Sequence, residues 1–366
     1  MYLHRSFTLV YFLVIFFTVL ALPRGAHPTE KIILPLKDDF PLPGNVSLCG
    51  EPMPLDNPHV LEMFDRELTI AAWDRSQVFM WMKRVGRYFP YIEKSLSKAE
   101  MPDDLKYITL AESALLTHIS SPAGAKGPWQ FMKTTARKYG LRVDRYVDER
   151  LHFEKATAAA ITHLRDLKDA FGNWTLALAA YNCGEYCVKE AIEQQRLRDY
   201  YRLHLPVETE RYVFRIAAAK VIMKDPQSYG YRLSPERIYR PIRVEKIPVI
   251  IKRPARILGA AQAIGADFKT LKDLNPHILG ECLPRGSYSL TVPEGKGEEL
   301  ASYFNDVKAV KYCKKSRRSR NYYIVKKGDT LLRIAEKTGV PVSKIKELNK
   351  IKGSLVMVGQ KLLISP

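Results

Sequence analysis

The chain has 366 residues, of which 46% are hydrophobic and 27% are charged. This composition supports a substantial core, so we expect a globular protein with two or more domains of about 150 residues each. Five cysteines are too few for a disulfide framework. The net charge of +19 fits a nucleic-acid partner on charge alone, but the N-terminus described next argues against that partner.

The first 26 residues resemble an export signal in charge order and length. His4 and Arg5 precede an apolar run at 7–22 that contains no charged residue. The run is slightly short for a membrane-spanning helix, which needs about 20 apolar residues, but an uncleaved anchor is the alternative. We expect residues 1–26 to be a signal peptide or an N-terminal anchor that could attach the protein to a membrane. The protein is then exported to the periplasm or cell envelope, where it meets no nucleic acid.

The cysteines allow one local disulfide. Cys183 and Cys187 are four residues apart, close enough to pair in an oxidising compartment, and two free thiols are the equal alternative. Cys49 lies too far beyond the apolar run to be a lipidation site, so we interpret it as an ordinary cysteine.

Residues 27–59 are rich in proline and predict an extended lead-in without a fold of its own. Residues 60–240 then predict one helical domain. Apolar residues at 60–97 recur every three or four positions and indicate two amphipathic helices. Further helices are predicted at 134–139, 154–171, 174–181 and 208–224, and no strand pattern occurs from 60 to 225. The helix at 174–181 is nearly all apolar, which predicts that it is buried on most sides.

A helix predicted near residue 105 carries an acidic residue on its apolar face. Asp103 can cap the first turn. The apolar positions recur at helical spacing at Leu105, Ile108 and Leu115. Glu112 falls on the same face, so its carboxylate points inward, where burial should raise its pKa. Such a group is a candidate general acid, and a structural carboxylate paired with a cation is the simpler alternative.

The C-terminal third contains two copies of one pattern. Residues 257–275 align without a gap on residues 331–349, and each copy then reaches a short apolar segment that ends in proline. The pattern predicts small α+β modules of βααβ order at 245–295 and 321–366, the first more divergent. A basic linker is predicted at 296–320, either solvated and flexible or attracted to an anionic wall or lipid surface.

Four motifs follow one another in a fixed order. They are Glu112-Ser113, the run Gly-Ala-Lys-Gly-Pro-Trp-Gln-Phe-Met at 124–132, Ala-Tyr-Asn-Cys-Gly at 180–184, and Glu208-Thr209 with Tyr212-Val213. Together they resemble the soluble-lytic-transglycosylase family, which has a goose-lysozyme-like fold. Residues 323–330, with Leu348-Asn349 and 359–362, are similar to the LysM peptidoglycan-binding module. Cys183 and Pro128 depart from the family, which usually has alanine and leucine there.

The resemblance implies a mainly α protein: a lysozyme-like helical catalytic domain followed by LysM-like modules. It also implies cleavage of the β-1,4 bond between N-acetylmuramic acid and N-acetylglucosamine without net addition of water. Glu112 would protonate the leaving oxygen, and its conjugate base would take the proton of the muramyl 6-hydroxyl, which closes a 1,6-anhydro ring. The modules would hold the enzyme on peptidoglycan glycan strands.

The number of carboxylates bears on the reaction. Ordinary glycosidases use two, and no second one lies near Glu112 in sequence, which mildly favours the intramolecular route. Four acidic residues could still approach Glu112 in the fold: Asp144, Asp148, Glu149 and Glu154. A lysozyme-type hydrolase and a non-catalytic wall-binding scaffold are therefore the alternatives.

The resemblance further implies substrate contacts from six residues: Ser113, Gln130, Met132, Tyr181, Asn182 and Tyr212. Simpler roles are surface exposure for Ser113, core packing for Met132 and Tyr212, and helix capping for Asn182. Tyr212 could also bond Glu112 and hold it. We expect no cofactor and no metal, because the eight histidines form no pair on one helix and no phosphate-binding loop follows a strand. His152 and His163 are interpreted as ordinary residues.

Overall fold

The computed structural model describes residues 40–306, 321–326 and 328–365, all within the unit Lys37–Pro366. The predicted export signal at 1–26, the start of the lead-in at 27–39 and residues 307–320 of the basic linker lie outside the described residues. Among those that are described, no helix combines the length and the apolar character needed to cross a bilayer.

Eight α-helices form a helical domain, which confirms the mainly α class. They are α1 Pro58–Trp73, α2 Arg75–Lys98, α3 Ile108–Ser113, α4 Lys133–Lys138, α5 Phe153–Phe171, α6 Trp174–Cys183, α7 Glu185–Gln195 and α8 Val207–Lys224. The apolar α6 is buried along 174–180 and contacts α5, α7 and α8. It is buried on most sides, as its nearly all apolar sequence predicted.

Part of the predicted lead-in is folded. Strands β1 Ser47–Leu48 and β2 Glu51–Pro52 form a short antiparallel hairpin, and the side chain of Leu48 is buried in the core of the helical domain. The Glu51 carboxylate accepts hydrogen bonds from the backbone N–H groups of Trp174 and Thr175. These groups open α6 and have no partner inside the helix, so an anion there is favourable. The lead-in prediction was therefore wrong for this hairpin.

The chain that enters α3 differs from the prediction at its first turn. A 3-10 helix, Asp103–Tyr107, precedes α3, and the Asp103 carboxylate makes no capping bond. It pairs instead with the Lys106 ammonium at 2.6 Å. The predicted apolar residues are nevertheless all buried: Leu105, Ile108 and Leu115. The helix ends at Ser113, so Glu112 lies in its last turn.

Two modules follow the helical domain. The first module, residues 244–306, contains β3 Val244–Ile251, β4 Ala255–Arg256, α9 Ile257–Ala263, α10 Phe268–Leu274, β5 Cys282–Leu283, β6 Gly286–Pro293 and α11 Gly297–Asp306. The second module, residues 321–365, contains β7 Asn321–Ile324, α12 Leu331–Thr338, α13 Val342–Asn349 and β8 Lys361–Ser365. Strands β3 and β6 pair antiparallel, as do β7 and β8, so both copies contain the predicted βααβ order.

The repeated asparagine has the same structural task in both modules. Asn275 donates to the carbonyls of Leu271 and Thr291 and accepts from the Thr291 N–H. Asn349 makes the equivalent three bonds to Ile345 and Leu363. An amide that links a helix to the following strand by three hydrogen bonds explains why the Leu-Asn pair recurs.

The prediction of a basic linker at 296–320 was wrong for its first part. Helix α11 occupies 297–306, and its Leu300 and Phe304 are buried in the core of the first module. The positive charge of the later linker residues obscured this short amphipathic helix.

The fold predicts that core deletion in α2 is costly. Ile92 is fully buried and Ile70 on α1 is 48% exposed. We expect Ile92→Ala to lower the free energy of unfolding by about 2–5 kcal/mol through cavity formation, and Ile70→Ala by less than about 1 kcal/mol. Tryptophan fluorescence during urea unfolding reports the helical domain alone, because all four tryptophans lie there. Equal losses would contradict the assigned packing.

Candidate active site

Glu112 lies in a cavity of about 550 Å³ in the helical domain. The walls are the end of α3, a segment before α4 that we call the wall loop (residues 119–132), the last turn of α6 and the first turn of α8. Five of the seven predicted site residues line the cavity: Glu112, Gln130, Met132, Tyr181 and Asn182. Ser113 and Tyr212 are buried behind it.

The Glu112 carboxyl is half-buried and hydrogen-bonded. The Tyr212 hydroxyl donates to Glu112 Oε1 at 2.5 Å. Burial raises the pKa of Glu112 from 4.5 to about 7, while the Tyr212 bond and the positive charge of Arg215 limit the rise. Near neutral pH the protonated and ionised forms are therefore both populated. A carboxyl group in this state can donate a proton and later accept one.

Strained backbone surrounds this carboxyl. Ala114 and Leu115 follow the helix end with φ angles of 49° and 62°, in the left-handed region that residues with a Cβ rarely adopt. Gln130 in the wall loop has a φ of 47°. The Arg84 guanidinium donates to the Ala114 carbonyl at 2.9 Å and holds this turn. Such strain is retained only where surrounding contacts fix it, and it concentrates at functional sites.

The wall loop packs too closely for a side chain at Gly127. This residue has a φ of 79°, and a Cβ there would lie 1.9 Å from the Arg150 carbonyl oxygen. Gln130 Nε2 donates to the Gly127 carbonyl at 2.7 Å. Met132 follows at 45% exposure, so its thioether side chain faces the cavity and not the core.

Ser113 holds the wall loop from behind. It is only 4% exposed, and its hydroxyl lies 2.8 Å from the Pro128 carbonyl and 3.1 Å from the Thr109 carbonyl. The surface-exposed alternative for Ser113 was therefore wrong. In this structure the hydroxyl connects the helix that carries Glu112 to the loop that carries Gln130.

Two residues at the end of α6 form the opposite wall. The Tyr181 hydroxyl donates to the Trp129 carbonyl at 2.8 Å, and burial raises its pKa well above the usual value, so it stays neutral. Asn182 Oδ1 accepts from the Thr209 hydroxyl at 2.7 Å. Asn182 is inside the helix and does not cap it, because the helix ends at Cys183 and Gly184 is its C-terminal cap.

Cys183 and Cys187 form a disulfide, the alternative that the sequence left open. It spans Gly184 and joins the last residue of α6 to the first turn of α7. Cys183 lines the cavity next to Asn182, so this covalent link fixes the backbone beside a predicted substrate contact.

Sequence reasoning missed several residues of the cavity, and three of them bear on its chemistry. Glu208 and Thr209 line it from the first turn of α8, and His163 lines it from α5. His163 packs against the tilted rings of Tyr139 and Tyr181, at 4.7 Å and 5.2 Å between ring centroids, and burial lowers its pKa to about 4. It is therefore neutral at pH 7. The motif that contains Glu208 was the only available signal for this second carboxylate.

The other acidic candidates lie elsewhere. None of Asp144, Asp148, Glu149 and Glu154 lines the cavity that contains Glu112. Within the described part of the chain, no group of three or more histidine, cysteine, aspartate or glutamate side chains is placed to hold a metal ion.

Comparisons with known proteins agree with the motifs. Residues 89–203 match the Transglycosylase SLT domain, and residues 323–365 match the LysM domain. The chain is 32% identical over 292 residues to membrane-bound lytic murein transglycosylase D of Escherichia coli. The aligned region covers 77% of this chain and 64% of that relative. It is 48% identical over 46 residues to an autolysin of Enterococcus faecalis, covering 13% of this chain and 6% of the relative.

Among solved structures, the chain is similar to the 70 kDa soluble lytic transglycosylase of Escherichia coli. The match has a TM-score of 0.34 and 19% identity, and covers 49% of this chain and 33% of that one. The chain spans 64% of the length of the murein transglycosylase relative. The family matches confirm the resemblance inferred from the motifs, since the chain contains an SLT domain and a C-terminal LysM domain.

The bond between Tyr212 and Glu112 makes a testable prediction. Hydrogen bonding from Tyr212 favours the ionised carboxylate, so Tyr212→Phe should raise the pKa of Glu112 above about 7. The check is an NMR titration of isotope-labelled glutamate carboxyls. Tyr231→Phe is the matched control, because this buried hydroxyl donates to the distant Ala72 carbonyl. An unchanged or lower pKa in Tyr212→Phe would contradict the assigned contact.

Proposed function

We propose that this chain, with its SLT domain followed by a LysM domain, is a peptidoglycan lytic transglycosylase. It cleaves the β-1,4 bond between N-acetylmuramic acid and N-acetylglucosamine and leaves 1,6-anhydromuramic acid ends. The observation that carries the proposal is the single half-buried carboxyl of Glu112, with a pKa raised to about 7, in a cavity within the SLT domain.

The first step is protonation of the leaving oxygen. At neutral pH the protonated form of Glu112 is well populated, because burial disfavours its charge. As the bond breaks, positive charge develops on the muramic acid ring. The Asn182 side chain and the neutral Tyr181 lie on the cavity wall, where fixed dipoles can stabilise that charge.

The second step uses the same carboxyl as a base. Ionised Glu112 accepts the proton of the muramyl 6-hydroxyl, whose oxygen attacks the anomeric carbon and closes the anhydro ring. The Tyr212 hydroxyl bonds Glu112 Oε1 and stabilises the ionised state between the two steps. Ser113 and Tyr212 act as positioning residues, whereas Gln130 and Met132 contact the sugar from the wall loop.

Glu208 supports one alternative, a lysozyme-type hydrolase. This exposed carboxylate lines the same cavity and could activate a water molecule, as the second carboxylate of many glycosidases does. The nature of the new glycan ends separates the two reactions.

We also propose that the second module tethers the enzyme to glycan in the cell envelope, with residues 1–26 serving export or anchoring. The module lies beside the cavity at one point, since a Cβ on Gly339 would be 3.4 Å from the Cβ of Pro122, a cavity residue. Binding of glycan by this module keeps the enzyme close to its polymeric substrate, which raises the effective substrate concentration.

Glu112→Gln tests the catalytic role. The change keeps the shape of the side chain but removes the transferable proton, so clearing of peptidoglycan in a zymogram should fall by at least about 100-fold. Glu190→Gln, an exposed glutamate on α7, is the matched control and should clear normally. Mass spectrometry of wild-type digests should find anhydromuramic ends. Full clearing by Glu112→Gln would contradict the catalytic role of Glu112, and a wild-type protein that clears nothing would favour a non-catalytic scaffold.

Deletion of residues 321–366 tests the tether. We expect binding to sacculi to weaken by at least about tenfold, because one of the two sites of attachment is lost. Cleavage of short soluble glycan fragments should stay within about twofold of wild type, because Glu112 and its cavity are retained. Pull-down with sacculi and fragment kinetics measure the two effects. An equal loss of both would argue against a separate binding role.

A further inference from the structure

We infer that the first module holds the wall of the catalytic cavity in place, through a chain of contacts that runs from Val147 to Arg150. This inference rests on the proposed function, because it concerns the geometry of the same cavity. It assigns to residues 244–306 a positioning role in catalysis that differs from the tethering role of the second module.

The module binds a segment of the helical domain as a β-bridge. Val147 and Ile278 pair antiparallel. The Asp148 N–H donates to the His277 carbonyl, and the Leu279 N–H donates to the Tyr146 carbonyl, each at 2.8 Å. These backbone bonds fix the register between the two parts of the chain.

The side chain of Val147 strengthens this docking. It is 2% exposed and belongs to the apolar core of the first module, although it lies between α4 and α5 of the helical domain. In the same interface between the first module and the helical domain, the ring centroids of His152 and His277 lie 4.6 Å apart, and Lys246 Nζ lies 2.6 Å from Glu154 Oε1. The module therefore holds this segment by burial as well as by hydrogen bonds.

The next contact is a buried ion pair. Arg150 donates through Nε and Nη2 to the two carboxylate oxygens of Asp148, both at 2.8 Å, and the side chains are 4% and 3% exposed. A planar fork of this kind fixes the direction of the guanidinium. Because Asp148 is next to Val147, the docked module determines where Arg150 points.

Arg150 then holds both ends of the turn in the wall loop. Its Nη1 donates to the Gly124 carbonyl at 2.9 Å and to the Phe131 carbonyl at 3.0 Å. Gln130 and Met132 flank Phe131, and both line the cavity. The position of these two side chains thus depends on Arg150, and through it on the first module.

The two modules differ at the loop that follows their second helix. In the first module the loop at 275–281 is paired with the helical domain. In the second module the corresponding loop exposes three apolar side chains: Leu355, Met357 and Val358, at 92%, 75% and 68% exposure. This loop of the βααβ unit is therefore docked against the helical domain in the first module, and it exposes its apolar side chains to solvent in the second.

Val147→Asp in the full-length chain tests the inference, because it places a charge in the core of the first module. We expect kcat on soluble glycan fragments to fall by about tenfold or more, since small displacements of positioning groups are costly. The pH at which activity declines should stay close to the wild-type value, because burial at the end of α3 raises the pKa of Glu112, Tyr212 and Arg215 of α8 limit the rise, and neither helix belongs to the displaced loop. Sacculus binding should also be retained. Val147→Ile, which keeps an apolar side chain at this position, should retain activity.

Ile250→Asp is the matched control. It introduces the same charge in the same module at a position that is 68% exposed, and it should leave kcat unchanged. Hydrogen exchange supplies the structural readout: in Val147→Asp the amides at 124–132 should exchange faster, while those of α6 keep their protection. A wild-type kcat together with unchanged exchange at 124–132 would overturn the inference.

If Val147→Asp also loses protection in α6, the milder Val147→Ala takes its place: a lower kcat with α6 protected supports the inference, and an unchanged kcat overturns it. If the wild-type chain forms no anhydro ends, the proposed function fails, and exchange at 124–132 still tests the docking of the module.

Discussion

The carboxyl group of Glu112 is subject to two opposing effects. Burial at the end of α3 disfavours its charge, whereas the Tyr212 hydroxyl and the Arg215 guanidinium favour it. The balance leaves its pKa at about 7, where one group can serve as acid and then as base. Much of the helical domain maintains this balance, because α3 must end beside the cavity and α8 must deliver Tyr212 from its buried face.

This arrangement lowers stability at higher pH. The pKa of Glu112 in the folded state, about 7, is above its ordinary value of 4.5, so the folded state binds the proton more tightly than the unfolded chain. The contribution of Glu112 to stability is fully present below pH 4.5 and is lost as the pH rises through about 7. The pKa shift required for function therefore costs stability, as is common at active sites.

The spacing of apolar residues was sufficient to predict the features that depend on local sequence. It placed Glu112 on an inward face, and it predicted both the buried α6 and the repeated module. It could not predict contacts between distant segments. The Tyr212 hydroxyl reaches Glu112 across 100 residues, and Ser113 reaches Pro128 across 15. Only the fold shows that Ser113 faces the wall loop and not the cavity.

The same limit explains the errors. Glu51 looked like part of an unfolded lead-in because its partners, the first N–H groups of α6, are more than 120 residues away. Helix α11 was hidden by the basic residues that follow it. Glu208 was singled out only as part of a family motif, since nothing in its local sequence indicates that α8 begins at the cavity.

In the reaction that we propose, Glu112 directs a sugar hydroxyl, and not water, to the anomeric carbon. Digestion of peptidoglycan by the purified enzyme in heavy-oxygen water tests it most directly, with mass spectrometry of the new muramic acid ends. We expect new muramic acid ends that contain no heavy oxygen and are lighter than hydrolysed ends by one water molecule. Incorporation of one heavy oxygen at each new end would contradict it and would identify the enzyme as a hydrolase.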